Sequence, residues 1–531
     1  MLAWLAWLAW LACCSSIQNV GYANHTLRYT ADNESAVAAA LHAGCDFECG
    51  GTFSSYLVKS LDRGDLSIAD LQRAARRMLK PAFQMGLLDP VDRQLPFLRL
   101  SARDVDTPVN RKLSFDASVQ AAVLLVNRPV SHLGSGATAS PLLPLQTGAL
   151  LRRIAVMGPI ANATQTLLAN YHGVNSLVEQ QSVLAALQRR AVQGGFEVAF
   201  EAGCRSIACT DASSFGEAAT LARSADVAIV VVGLCSDDCD GGASDAAARE
   251  GEGTDRKSTD LPGLQEQLVR EIVMTGTPTI VLIIHGGALS VDWIAANVPA
   301  VLSLHYPGEL GGDAAVALMF GDVSPSGRNT VTWYSSTFQA ERPLITDMQL
   351  ASHTSAQGAY VPGITYLYYN SSVLWPFGFG LSYTEFEFAW SDHQGVAPRS
   401  VLSVSQFLAR PPSFSVNVTN IGARVSDVSA MAFVASGLAG EPLRECFDFA
   451  RASMLSPAAS VVLTFTLPPW VAATVDKDGS QVLTRGEYTV SVHGGSGGTK
   501  PVLTMDLVVV GDADAILFDM RAVRHQRAQA P

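Results

Sequence analysis

With 531 residues, 48% of them hydrophobic, the chain is long enough for about two to four domains and apolar enough to bury large cores, which excludes an intrinsically disordered protein. Lys and Arg number 36 against 48 Asp and Glu, a formal net charge of −12. No basic stripe runs along the sequence, so nucleic acid is not an expected partner. Charged residues make up only 16%, a proportion common in secreted enzymes.

The first twelve residues, MLAWLAWLAWLA, repeat a Leu/Ala/Trp triplet. The run is too short to span a bilayer and lacks the charged start of a secretory signal, so it reads as a low-complexity segment. Residues 33–43 and 67–80 carry apolar residues at helical spacing, and Ser67 with Asp70 forms a capping box. Pro81 and GLLDP (86–90) are expected to end the second helix.

From Ile154 the pattern changes. Short apolar runs at 154–158, 226–233, 279–284 and 299–304 read as strands, and 213–225 and 261–275 as helices. Unbroken apolar strands alternating with helices indicate a parallel sheet covered on both faces, whose functional groups gather in loops beyond the carboxyl ends of the strands. The segment 235–260 is such a loop. After about residue 385 only strands follow, at 413–420, 429–436, 460–467, 486–492 and 502–510, spaced as in a β-sandwich. The last residues form a solvated tail.

The nine cysteines include the close pairs Cys13/Cys14, Cys45/Cys49, Cys204/Cys209 and Cys235/Cys239. None faces a second half-motif at zinc-finger spacing, and there is no HExxH helix, so no metal site is implied; the disulfide connectivity stays open. Sequons stand at Asn24, Asn33, Asn162, Asn370 and Asn417. Cysteines and sequons together favour an oxidising, extracellular or secretory-pathway location.

The loop 235–265 holds the most chemistry. Glu250 and Glu252 sit in a glycine-flanked turn close to Asp255 and Arg256, just before a helix beginning near Pro262. A carboxyl group on such a loop can approach a leaving-group oxygen and be desolvated on closure, as a general acid requires. Asp237, Asp238, Asp240 and Asp245 lack the register and closing glutamate of a calcium loop, so they read as solvated acids. GGSGG (494–498) matches a nucleophile elbow in letters only, because an elbow needs a helix after the strand; it reads as a hairpin turn.

The run EGEGTDRKSTDLPGLQ (250–265) resembles the acid/base loop of glycoside hydrolase family 3. Further matching segments follow in the same order: AGCDFECGG (43–51), GLLDP (86–90), VLLVN (123–127), AVMGPIANAT (155–164), YPGELGGDAAVALMFGDVSPSGR (306–328) and VLWPFGFGLSYTEF (373–386). The cysteine spacings at 45/49 and 204/209 are similar to the plant and fungal β-xylosidase branch. The resemblance implies an α/β multi-domain protein in six segments. These are the low-complexity segment 1–12, a remnant of a (β/α)8 barrel over 13–110, and an α/β sandwich over 111–345 carrying the acid/base loop. A linker over 346–385, a fibronectin-type-III-like domain over 386–512 and a tail over 513–531 complete it.

It implies a retaining exo-β-xylosidase that could also act as an α-L-arabinofuranosidase, with xylo-oligosaccharides or related β-glycosides as substrates. No cofactor and no membrane span are implied, since two carboxyl groups about 5–5.5 Å apart do the chemistry. The general acid/base carries over to Glu252, with Glu250 the second choice. The family's nucleophile, an aspartate at a barrel strand end, matches Cys13, and a thiol does not replace a carboxylate that must stabilise an oxocarbenium-like centre. With about a hundred residues where a barrel has roughly 250, the chain is expected to be N-terminally truncated and, alone, poorly active. A β-glucosidase, or a non-catalytic carbohydrate-binding remnant, is the alternative.

Overall fold

The computed structural model describes residues 29–48, 50–90, 100–131, 139–148, 151–173, 181–236, 239, 248–251, 254, 256–342, 347, 349–355, 358–391, 399–494, 502–511 and 513–520. Two compact units divide between Thr107 and Pro108.

The first unit is helical: α1 (Asn33–Ala43), α2 (Thr52–Asp62) and α3 (Ile68–Gln84). Asp32 caps α1 by accepting from Ser35 N at 2.8 Å, and Gly44, at φ 98°, ends it in the left-handed conformation open to glycine. The Ser67–Asp70 capping box opens α3 as expected. The expected stop at Pro81 is corrected: α3 runs through it to Gln84. Proline deletes one donor, but its own carbonyl still accepts from Met85 N at 2.8 Å, so the last turn closes. A small core of Val37, Leu41, Leu66 and Ala74 holds the three helices.

The second unit opens with α4 (Pro108–Ala121) and β1 (Val123–Asn127). There follow β2 (Arg153–Met157), α5 (Val183–Gly194), β3 (Glu197–Glu201), α6 (Phe215–Arg223), β4 (Val227–Gly233), α7 (Gln265–Val273), β5 (Thr279–Ile284), α8 (Asp292–Asn297), β6 (Ala300–Ser303) and α9 (Gly311–Phe320). They build one six-stranded sheet in the order β1-β6-β5-β4-β2-β3, parallel except for β1, which pairs antiparallel with β6 at the edge. The sheet is covered on both faces. On β4, Ile229 and Val231 enter one core with α5 and α9, while Ala228, Val230 and Val232 enter the other with α6 and α7. This two-sided burial is why these strands read as unbroken apolar runs.

The C-terminal part has two main sheets about a shared core, and a third of three short strands, Thr474–Val475, Gln481–Leu483 and Ala515–Phe518, adds Leu483 to that core. One main sheet holds β7 (Phe386–Trp390), β9 (Ser413–Asn420) and β12 (Ser460–Thr466). The other, in spatial order β8-β14-β13-β10-β11, holds β8 (Arg399–Ser403), β10 (Ser426–Ala435), β11 (Glu445–Leu455), β13 (Gly486–Gly494) and β14 (Leu503–Val510). A short helix, α10 (Val404–Ala409), follows β8. Strand β9 alternates strictly, with Phe414, Val416 and Val418 buried and their neighbours turned outward. Of the GGSGG motif, residues 495–498 lie outside the described residues; the strands on either side pair antiparallel, Val492 opposite Leu503.

Candidate active site

In the sheet order, the chain moves one way from β2 to β3 and the other way from β2 to β4, so the carboxyl ends of β2 and β4 form a switch point where loops diverge and leave a crevice. The loop 235–260 leaves β4 at that edge. It touches the loop that follows β2, where Ser236 Oγ donates to Asn170 Oδ1 at 2.8 Å.

Both ends of the loop are tied down. Gly233, at φ 140°, lies so close to β5 that a Cβ there would stand 1.9 Å from the Ile284 carbonyl oxygen, which only glycine tolerates. Gln265, fully buried at the start of α7, accepts from Gly233 N at 2.7 Å and donates to the carbonyls of Gly233 at 2.9 Å and Ile207 at 2.6 Å. Within the loop, Cys235 is disulfide-bonded to Cys239, and its backbone pairs with the returning chain: Cys235 N donates to Ala248 O at 3.1 Å and Glu250 N to Cys235 O at 2.8 Å. A second local disulfide joins Cys204 to Cys209.

The returning chain delivers Glu250 into a ring of donors. Tyr306 Oη donates to its Oε1 at 3.0 Å, and Gly287 N lies 3.2 Å from both carboxylate oxygens. Gly286 N also donates to Oε1. Arg256 Nε stands 3.1 Å from Oε2, with the Glu250 side chain 13% and the Arg256 side chain 17% exposed. Arg256 also donates from Nη2 to Ala288 O at 3.0 Å. The glycines let the carboxylate reach the backbone: a Cβ on Gly286 would lie 3.0 Å from Glu250 Oε1, and one on Gly287 2.9 Å from Arg256 Nη2.

Behind this turn lies His285, fully buried between β5 and β6. Its Nδ1 is 2.8 Å from the Gly287 carbonyl, which can only accept, so Nδ1 carries the proton. Burial, then the neighbouring His305 and Arg256 charges, push its pKa down to about 3 although the Gly287 bond opposes them, so the ring is neutral and its Nε2 accepts from Ser303 Oγ at 2.6 Å. His305, at φ 54°, turns the chain sharply out of β6 just before Tyr306. Burial lowers the His305 pKa too.

Of the sequence-predicted residues, Glu250 is thus seated among Arg256, Tyr306 and two backbone amides. Glu252, Asp255, Cys13, Cys14, Cys49, Asp237, Asp238, Asp240, Asp245 and the Asn24 sequon lie outside the described residues. The sequence reading missed Gly286, Gly287, His285 and Gln265. The His-Gly-Gly after an apolar strand was their one local signal, since glycine pairs at a strand's carboxyl end often let a side chain approach the backbone.

Residues 122–383 match the family model of the glycosyl hydrolase family 3 C-terminal domain, and this part of the chain belongs to glycoside hydrolase family 3. It is 31% identical, over 91% of its length and 58% of the relative's, to a probable exo-1,4-beta-xylosidase (bxlB) of Aspergillus flavus. To the bxlB protein of Aspergillus oryzae it is 32% identical, over 91% of its length and 56% of that protein's. The chain therefore spans less than three-fifths of these relatives. Among solved structures, a family 3 exo-beta-xylosidase (XlnD) in complex with a xylobiose aziridine probe superposes with TM-score 0.81 at 25% identity, over 95% of this chain and 62% of that one. A β-glucosidase of Erythrobacter marinus superposes with TM-score 0.71 at 27% identity, over 93% of this chain and 63% of that one.

Proposed function

We propose that the chain carries the general acid/base half of a retaining exo-β-xylosidase acting on xylo-oligosaccharides or related β-glycosides, with Glu252 as the acid/base. The observation that carries this is the seat of Glu250. Both its oxygens accept from groups behind the loop, Gly286, Gly287, Tyr306 and Arg256, so its lone pairs are committed and it serves as the loop's anchor. A general acid must instead offer its proton to a leaving group, and in the EGEG run that role falls to Glu252. Bidentate anchoring of the preceding glutamate supplies the positional precision that proton transfer demands.

The reading extends to the rest of the chain. Residues 13–110 are the remnant of a (β/α)8 barrel, 111–345 the α/β sandwich, 346–385 a linker and 386–512 a fibronectin-type-III-like domain in a secreted glycoprotein. Among the sequons, Asn162 and Asn370 are exposed and open to a glycosyltransferase. No described helix is long and apolar enough to cross a membrane. A retaining reaction needs a second carboxylate, and Cys13 occupies the position that matches the family's nucleophile. The likeness to β-glucosidases leaves glucosides as the competing substrate.

The test is a chimera in which residues 14–531 follow the N-terminal barrel of the Aspergillus oryzae relative through the nucleophile aspartate that matches Cys13, assayed on aryl β-xylosides, arabinofuranosides and glucosides of graded leaving-group ability. Glu252→Gln is expected to lower turnover by about 10²–10⁴-fold on poor leaving groups and far less on good ones. Glu250→Gln is expected to lower both alike. The reverse pattern overturns the assignment, and a higher kcat/KM on glucosides than on xylosides overturns the substrate.

A further inference from the structure

A second cleft opens in the C-terminal part, between its two main sheets, with a cavity volume of about 370 Å³. It lies where β7 stops and β8 and β9 begin. Strand alternation explains its walls. On β7 the inward residues are Phe386, Phe388 and Trp390, and Trp390 is the last, opposite Val416 of β9. Phe414 on β9 continues that wall, and Leu402 on β8 with Met505 on β14 form the facing one. Ser400, on the inward side of β8, and Arg410, just past α10, add polar groups at the mouth.

Three donors here are unengaged. The Trp390 indole N–H, the Ser400 hydroxyl and the Arg410 guanidinium make no hydrogen bond or ion pair to any described residue. In a closed core such groups are satisfied. At a cleft, they are what a ligand would meet.

We propose that this cleft binds one sugar unit of a glycan, at a site separate from the Glu250 seat. The volume falls within the range of about 300–1,000 Å³ usual for small-molecule pockets. The lining combines an aromatic and aliphatic wall, suited to the C–H face of a pyranose or furanose ring, with donors spaced around it for ring hydroxyls. A purely apolar ligand would leave those donors unpaired, and a strongly anionic one would meet a single cation at the rim. The inference does not rest on the chain being a xylosidase, since it uses only the chemistry of the cleft.

The experiment titrates the full chain with xylotetraose, cellotetraose and a glucuronate-bearing xylo-oligosaccharide by isothermal calorimetry. Wild type is compared with Arg410→Ala, Ser400→Ala and Glu252→Gln, and thermal melts confirm that each variant is folded. Binding with Kd of about 1 mM or tighter is expected, weakened about fivefold or more by Arg410→Ala and by Ser400→Ala, and unchanged by Glu252→Gln. A preference for the glucuronate-bearing ligand that Arg410→Ala abolishes supports the site with Arg410 reading the carboxylate. No heat with any of the three at about 10 mM, affinity untouched in both cleft variants, or loss only in Glu252→Gln overturns the proposal. The last outcome would place sugar binding at the candidate active site and leave the xylosidase reading standing.

Discussion

The side chain of Gln265 folds onto the backbone of Gly233: its Oε1 accepts from Gly233 N at 2.7 Å and its Nε2 donates to Gly233 O at 2.9 Å. One residue ends β4 and the other begins α7, so a single buried amide closes the base of the loop that carries Glu250. Gln265→Leu, similar in size, leaves the Gly233 N–H and the Gly233 and Ile207 carbonyls without this partner. Each buried group stranded in this way costs about 1–3 kcal/mol. We expect unfolding stability to fall by about 2–5 kcal/mol, measured as a lower urea midpoint at unchanged slope, and proteolysis within 235–260 to speed up. Gln265→Glu keeps the acceptor toward Gly233 N but repels both carbonyls, and should be no better than leucine.

His285 makes stability depend on pH. Its folded pKa is near 3 and its unfolded value near 6.5, so the unfolded chain binds the extra proton between those values. The contribution is therefore complete above pH 6.5 and is lost as pH falls toward 3, by about 1.4 kcal/mol per unit once well below 6.5. The lowered His305 acts in the same sense. Wild-type protein is expected to lose about 2–3 kcal/mol between pH 7.5 and 4.5. His285→Gln should be less stable at pH 7.5 but show a flatter profile over that window, in urea titrations at each pH. An unchanged slope in the variant would remove His285 as the cause.

The Arg256–Glu250 pair is mostly buried, and removing one partner strands the other. Arg256→Ala should therefore cost about 3–5 kcal/mol, more than the pair's net contribution. Gly287→Ala attacks the same seat from the backbone side, because its Cβ would stand 2.9 Å from Arg256 Nη2 and 3.3 Å from Glu250 Oε2. A flexible arginine can yield where a backbone cannot, so we expect a smaller loss for Gly287→Ala, about 1–3 kcal/mol. Calorimetric melting of both variants checks the order.

The parallel sheet was legible because two-sided burial writes itself as apolar runs. The strands expected at 154–158, 226–233, 279–284 and 299–304 stand at Arg153–Met157, Val227–Gly233, Thr279–Ile284 and Ala300–Ser303. Strand β3 was missed because Glu197–Glu201 lies at the sheet edge, begins and ends in glutamate, and has no fully buried residue. Strand β11 was missed for a like reason, since Glu445–Leu455 is an edge strand carrying Asp448, Arg451 and an exposed Phe449. At the site, the glutamates and Arg256 could be picked out along the chain. Their partners could not: Gly286, Gly287 and Tyr306 lie 36 to 56 residues from Glu250 and meet it only because three neighbouring strands end at one edge.

The two disulfides offer a test of how the loop is held. Cys235–Cys239 closes only a few residues, so chain entropy assigns it about 2 kcal/mol. Its position matters more, because Cys235 is also the residue whose backbone pairs with Ala248 and Glu250. The Cys235→Ala/Cys239→Ala variant should lose about that stability and also speed amide exchange at Cys235 and Glu250, as the strand end gains freedom. Cys204–Cys209 is matched in span but supports a different place: Cys209 O accepts from Leu264 N at 2.9 Å, next to Gln265. Removing it should cost a similar amount while raising exchange at Leu264 and Gln265 and leaving Glu250 N protected. Exchange that rises equally at Glu250 in both variants would mean that the loop opens as one unit from its base, and that Gln265, rather than the Cys235 bridge, governs how Glu250 is held.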